Sequence, residues 1–86
     1  MLVSVTEGQP VSFGCYIFVG SAVNWTWSIN NNNKIILNVT NSNNKQSILT
    51  ISKPDVSYSG VYYCTAINEY GSFSRNITLR VKSILF

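Results

Sequence analysis

The chain contains no histidine and only three acidic residues among 86. The first absence removes the usual general base and the commonest protein ligand for metals. The second leaves Glu7, Asp55 and Glu69, which fall in three different turns of the pattern described below. A pair of cooperating carboxylates, as in glycoside hydrolysis, is therefore not expected. No apolar run approaches the ~20 residues that a bilayer-spanning helix requires. The six basic residues, Lys34, Lys45, Lys53, Arg75, Arg80 and Lys82, are scattered, and the net charge of +3 builds no stripe that would track a phosphate backbone. Gly8 and Gly14 bracket the one glycine-containing stretch near the start, but no helical pattern follows to hold a phosphate. These absences lead to the expectation of no catalytic residues, no metal, no cofactor, no nucleic-acid partner and no direct insertion of this domain into a membrane.

What is present is alternation. A chain of 86 residues has room for one domain, residues 1–86 with a core of about 3–82. At this size folding buries only ~60% of the unfolded surface, so the core is marginal without a staple. Apolar residues recur at period 2 in short runs, the mark of half-buried strands. Val3 and Val5 begin one run. Val11, Phe13 and Cys15 share a face of the next, after a turn at Glu7 to Pro10. Val23, Trp25 and Trp27 share another, and Ile35 to Val39 reads as a weak strand between loops at Asn30 to Asn33 and Asn41 to Lys45. Ser47, Leu49 and Ile51 alternate cleanly. Tyr62, Cys64 and Ala66 follow a turn at Pro54 to Gly60. Asn68 to Ser72 forms a hairpin turn with Gly71 available for positive φ, and Ile77, Leu79 and Val81 close the pattern. Short strands 8–12 residues apart predict an all-β sandwich or barrel. Met1 to Ser4 runs straight into strand pattern with no leader, which reads as a start on a domain excised from a longer, multidomain chain.

The most specific feature is the order Cys15, then Trp25 or Trp27, then Cys64, with Tyr62 two residues before the second cysteine. Gly60 to Gly71 spells G-x-Y-x-C-x-A-x-N-x-x-G, Glu7 to Cys15 spells E-G-x-x-V-x-F-x-C, and Leu49 to Ile51 spells L-x-I. Across residues 3 to 82 the chain resembles the I-set and C2-like immunoglobulin domains of cell-surface adhesion molecules and receptors. The interval between the cysteines is short for a variable-type domain, and the F-G-x-G motif of that type is missing. The resemblance implies a two-sheet antiparallel β-sandwich stapled by a Cys15–Cys64 disulfide on which a tryptophan packs, and a hydroxyl bond from Tyr62 back to the preceding turn. Trp27 has the commoner spacing from Cys15, whereas Trp25 has Val23 at the usual position before it, so both stand as core candidates. Two positions depart from the family pattern. Tyr58 stands where an aspartate usually precedes the glycine, so the family's buried ion pair is not expected. Pro54 stands where a core valine is common, so the turn before Tyr62 is expected to be reshaped.

Three N-x-T sequons, at Asn24, Asn38 and Asn76, would accept glycans in a secreted protein. With the paired cysteines they favour an oxidising compartment, outside the cell and at its surface. The resemblance then implies a protein partner, homophilic or heterophilic, met through a sheet face or the end loops. Tyr70 at the hairpin tip and Phe73 beginning the last strand are the candidate contacts. Two alternatives belong to the same fold: a spacer that positions a neighbouring domain, and an intracellular structural domain of the titin class.

Overall fold

The computed structural model describes residues 1–21, 24–29, 34–35 and 39–84. The alternating runs become strands because each can turn one face inward and leave the other wet. In order they are β1 (Leu2–Thr6), β2 (Val11–Tyr16), β3 (Asn24–Ile29), β4 (Lys34–Ile35), β5 (Val39–Ser42), β6 (Gln46–Ile51), β7 (Gly60–Asn68) and β8 (Gly71–Lys82). They form two sheets, one of five strands in the order β1-β8-β7-β3-β4 and one of three in the order β2-β6-β5. The architecture is an immunoglobulin-like β-sandwich. Among the described residues the pairings are antiparallel except one: β1 lies parallel to β8, with Leu2 opposite Thr78 and Thr6 opposite Lys82. Alternation shows that a segment is a strand and is silent on its partner, so this exception was not visible in the sequence.

The core is the inward set of that alternation. Val11, Phe13 and Cys15 of β2 and Leu49 and Ile51 of β6 face Trp27 of β3, Tyr62, Cys64 and Ala66 of β7, and Ile77, Leu79 and Val81 of β8, all buried. Full burial of such a side chain stabilises by ~1.5–3 kcal/mol each. Phe13 meets Trp27 and Tyr62 edge to face, at 5.9 and 5.2 Å between ring centres. Of the two candidate tryptophans, Trp27 is the central one, 2% exposed and paired in register with Cys64. Its Nε1 donates to the Ser47 hydroxyl at 2.9 Å. Ser47 is itself fully buried, so this bond gives the indole and the hydroxyl their partners. Trp25 lies half-buried against the core's edge and donates instead to the Asn43 carbonyl at 2.8 Å.

The expected turn at Asn68 to Ser72 narrows to residues 69–70, because Asn68 ends β7 and Gly71 begins β8. The expected loop at Asn41 to Lys45 is shorter, because Asn41 and Ser42 belong to β5 and pair with Ile48 and Ser47. The Asn43 side chain tightens what remains by accepting from the Lys45 and Gln46 amides at 2.8 and 2.9 Å. The weak strand expected over Ile35 to Val39 is represented by β4 and β5 at its two ends, with 36–38 outside the described residues. The loop at Asn30 to Asn33, the sequon residue Asn38, Val23 and the last two residues also lie outside them. Pro54 is buried, and Asp55 caps a 3₁₀ turn over Val56–Tyr58 through a bond from the Ser57 amide at 2.8 Å. Among the described residues no helix is long and apolar enough to cross a membrane.

Candidate recognition surface

One end of the sandwich is built from the two segments that leave the disulfide-linked strands. Past Cys15 the alternation of β2 stops. Tyr16, Ile17, Phe18 and Val19 are four consecutive apolar or aromatic residues, and strand geometry can bury only every second one. The Phe18 ring is 84% exposed and stands edge to face on Tyr16, 5.2 Å between centres. Facing this segment is the β7–β8 hairpin. Asn68 ties the two together: its Nδ2 donates to the Val19 carbonyl at 3.2 Å, and its Oδ1 accepts from the Tyr70 amide at 2.8 Å. Lys45 Nζ donates to the Gly20 carbonyl from the third side.

Gly20 explains the closeness of the contact. Its φ is +75°, where side-chain-bearing residues are strained, and a Cβ there would lie 2.9 Å from the Tyr70 ring. Tyr70 therefore rests on glycine backbone while 71% of its surface stays exposed. Phe73 follows Gly71, itself at φ 132°, and sits opposite Ala66 in the β7–β8 register. It shares the inward phase of Ile77 and Leu79 but is 44% exposed, because the three-stranded sheet ends before covering it. The result is an apolar cleft of about 310 Å³ lined by Tyr16, Phe18, Val19, Ala66, Tyr70 and Phe73.

Sequence reasoning singled out Tyr70 and Phe73, and the structure brings them to this one end. It missed Tyr16, Phe18 and Val19. The available signal was the apolar run that breaks the alternation immediately before a glycine.

The remaining predicted residues lie elsewhere. Cys15 and Cys64 are disulfide-bonded across the two sheets, 6.7 Å between Cα atoms. The Tyr62 hydroxyl donates to the Tyr58 carbonyl at 2.7 Å, so the residue replacing the family's aspartate serves through its backbone. Burial, with a smaller contribution from Tyr58, pushes the Tyr62 pKa up from 10.0 to about 12. Asn24 and Asn76 are exposed on the outward face of the five-stranded sheet. Among the described residues no group of His, Cys, Asp and Glu could hold a metal ion.

Comparison with known proteins agrees with this architecture. The family profile described as "Immunoglobulin domain" matches residues 2–68. No curated protein sequence matches the chain. Among solved structures, the titin I-band fragment I67–I69 superposes with a TM-score of 0.79 at 27% identity, covering 94% of this chain and 29% of that one. The extracellular portion of mouse CD200RLa gives 0.79 at 18% identity, covering 96% and 56%. The C. elegans twitchin kinase region gives 0.76 at 25% identity, covering 93% and 14%. The chain thus spans less than two thirds of each of these three, and the shared fold is found in titin and in the extracellular portion of CD200RLa alike.

Proposed function

The chain belongs to the immunoglobulin domain family, and from that premise we propose that it is a non-catalytic extracellular domain, I-set or C2-like, that recognises a protein partner at the cell surface. The apolar end carries this assignment. Exposed aromatic side chains cluster there around one cleft, on loops cross-tied by Asn68 and Lys45. Large aromatics held in place before binding lose little freedom on contact and anchor interfaces. A spacer domain has no need of such a cluster at one end. The buried disulfide supports the extracellular setting, since glutathione and thioredoxin keep cytosolic thiols reduced.

The test of recognition displays the domain on cells and measures cell–cell aggregation and staining by the soluble domain, for the starting protein and for Phe18→Ser and Tyr70→Ala. Loss of adhesion or staining in folded variants is the expected result. Full retention by both would remove this end as the interface. A structural domain of the titin class is the second assignment, favoured by the 27% identity with titin I67–I69. Thiol titration of unreduced protein from its native source separates the two: no free thiol for the extracellular domain, two for the intracellular one.

A further inference from the structure

The outward face of the five-stranded sheet carries an arrangement that the recognition end does not explain. Asn24 of β3 lies directly opposite Ile67 of β7, and Asn76 of β8 lies directly opposite Tyr63 of β7. Both asparagines are exposed, and each begins an N-x-T sequon whose threonine, Thr26 or Thr78, falls two residues on and so on the same face. The two sites are two strands apart, roughly 10 Å, and four residues apart along the strands, roughly 14 Å. Between them the centre of the face is polar, with Thr65 and Ser74 hydroxyls 3.0 Å apart. Its apolar side chains include Ile67, 47% exposed, and the half-buried Tyr63. Each of these two is the cross-strand neighbour of a sequon asparagine, at a Cβ separation of ~4.5–5.5 Å.

We infer that Asn24 and Asn76 are N-glycosylation sites and that their first sugars pack on Ile67 and Tyr63, closing this face to protein partners. The inference rests on the extracellular assignment. The donor is a lipid-linked diphosphate oligosaccharide. The bond from the sugar C1 to the phosphate oxygen breaks, the bond from C1 to the asparagine Nδ2 forms, and the amide proton leaves with the lipid diphosphate. Strand pairing then holds the modified asparagine beside its apolar neighbour. The C–H face of the sugar meets the negative face of the Tyr63 ring, and apolar surface otherwise exposed to water is covered. With this face glycan-covered, the end bearing Phe18 and Tyr70 stays open to a partner.

The experiment secretes residues 1–86 from eukaryotic cells behind a cleavable leader and reads occupancy site by site by mass spectrometry, which also separates Asn38. Occupied Asn24 and Asn76 are expected. Packing is read by a double-mutant cycle in thermal melting. Tyr63→Ser should lower the Tm by about 2 °C or more beyond its effect in an Asn76→Gln background, and Tyr63→Phe, which keeps the ring, should retain that coupling. Secretion of oxidised, folded protein with either asparagine bare overturns the site assignment. Equal effects of Tyr63→Ser in both backgrounds overturn the packing. Failure to secrete an oxidised, folded domain overturns the extracellular assignment itself and this inference with it.

Discussion

The centre and the open end of this sandwich are built from the same strands and are rich in the same residue types, yet they behave oppositely. At the centre, Phe13, Trp27 and Tyr62 are buried edge to face, and both polar handles have partners, Trp27 on Ser47 and Tyr62 on Tyr58. One turn away from the disulfide, Tyr16, Phe18, Tyr70 and Phe73 form an equally aromatic group that is left largely in water. The difference is the presence of a facing sheet. Beyond the last residue of β2, the Tyr16–Val19 segment rather than a paired strand faces β7 and β8, and it buries Ala66 while leaving Phe73 44% exposed. Aromaticity supplies the capacity for burial, and the extent of the opposing sheet decides whether it is used for stability or left for contact.

Variants that break the centre should be costly, and the largest effect is expected for Trp27→Ala. It opens a cavity in the core and removes the Nε1 bond to the buried Ser47 hydroxyl, for a loss of about 3–5 kcal/mol in chemical denaturation. Gly14→Ala probes the pairing that carries the small sheet. A Cβ there would lie 2.4 Å from the Ser47 carbonyl oxygen and 3.1 Å from the Ile48 Cα. Because those atoms are backbone of β6, the strands must part, and a loss of about 1–3 kcal/mol is expected.

A finer probe is Tyr62→Phe, which deletes one hydrogen bond and should cost about 1 kcal/mol. Its second signature is in alkali. The folded pKa of about 12 stands above the ordinary 10.0, so the neutral hydroxyl's contribution is complete below pH 10. That contribution is lost as pH rises through the folded value. The starting protein should therefore weaken between about pH 10 and 12 more steeply than Tyr62→Phe when melting is followed across that range.

The smallest stability effect belongs to the open end. Phe18→Ser should change folding stability by less than about 0.5 kcal/mol, as for an ordinary surface position. A loss as large as that from a core aromatic would show that Phe18 is structural and erase the contrast between the two regions.

Much of the centre was legible because period-2 alternation is a local property. A residue's phase on its own strand states which face it occupies, and Cys15, Leu49, Tyr62, Cys64, Ile77 and Leu79 all lie inward by that rule. The choice between Trp25 and Trp27 was not legible, since both share a phase. Depth along the strand separates them, and depth depends on where β6 places Ser47. The open end was half legible. Tyr70 and Phe73 stood out beside a glycine turn, while Tyr16 to Val19 were masked by their closeness to the strand they terminate.

By itself, the sequence determined a small all-β domain with outward-facing sequons at Asn24 and Asn76, which follow from residue type, spacing and phase, and its motifs carried the resemblance to immunoglobulin domains that implies a stapled centre. The tertiary structure alone decided the parallel seat of β1 on β8, the rank of Trp27 over Trp25, and the close approach of Tyr70 to Gly20. It also decided the placing of Asn24 beside Ile67 and of Asn76 beside Tyr63. Those depend on which strands become neighbours and in what register, and contacts between residues as distant as Gly20 and Tyr70 leave no periodic trace in the chain that makes them.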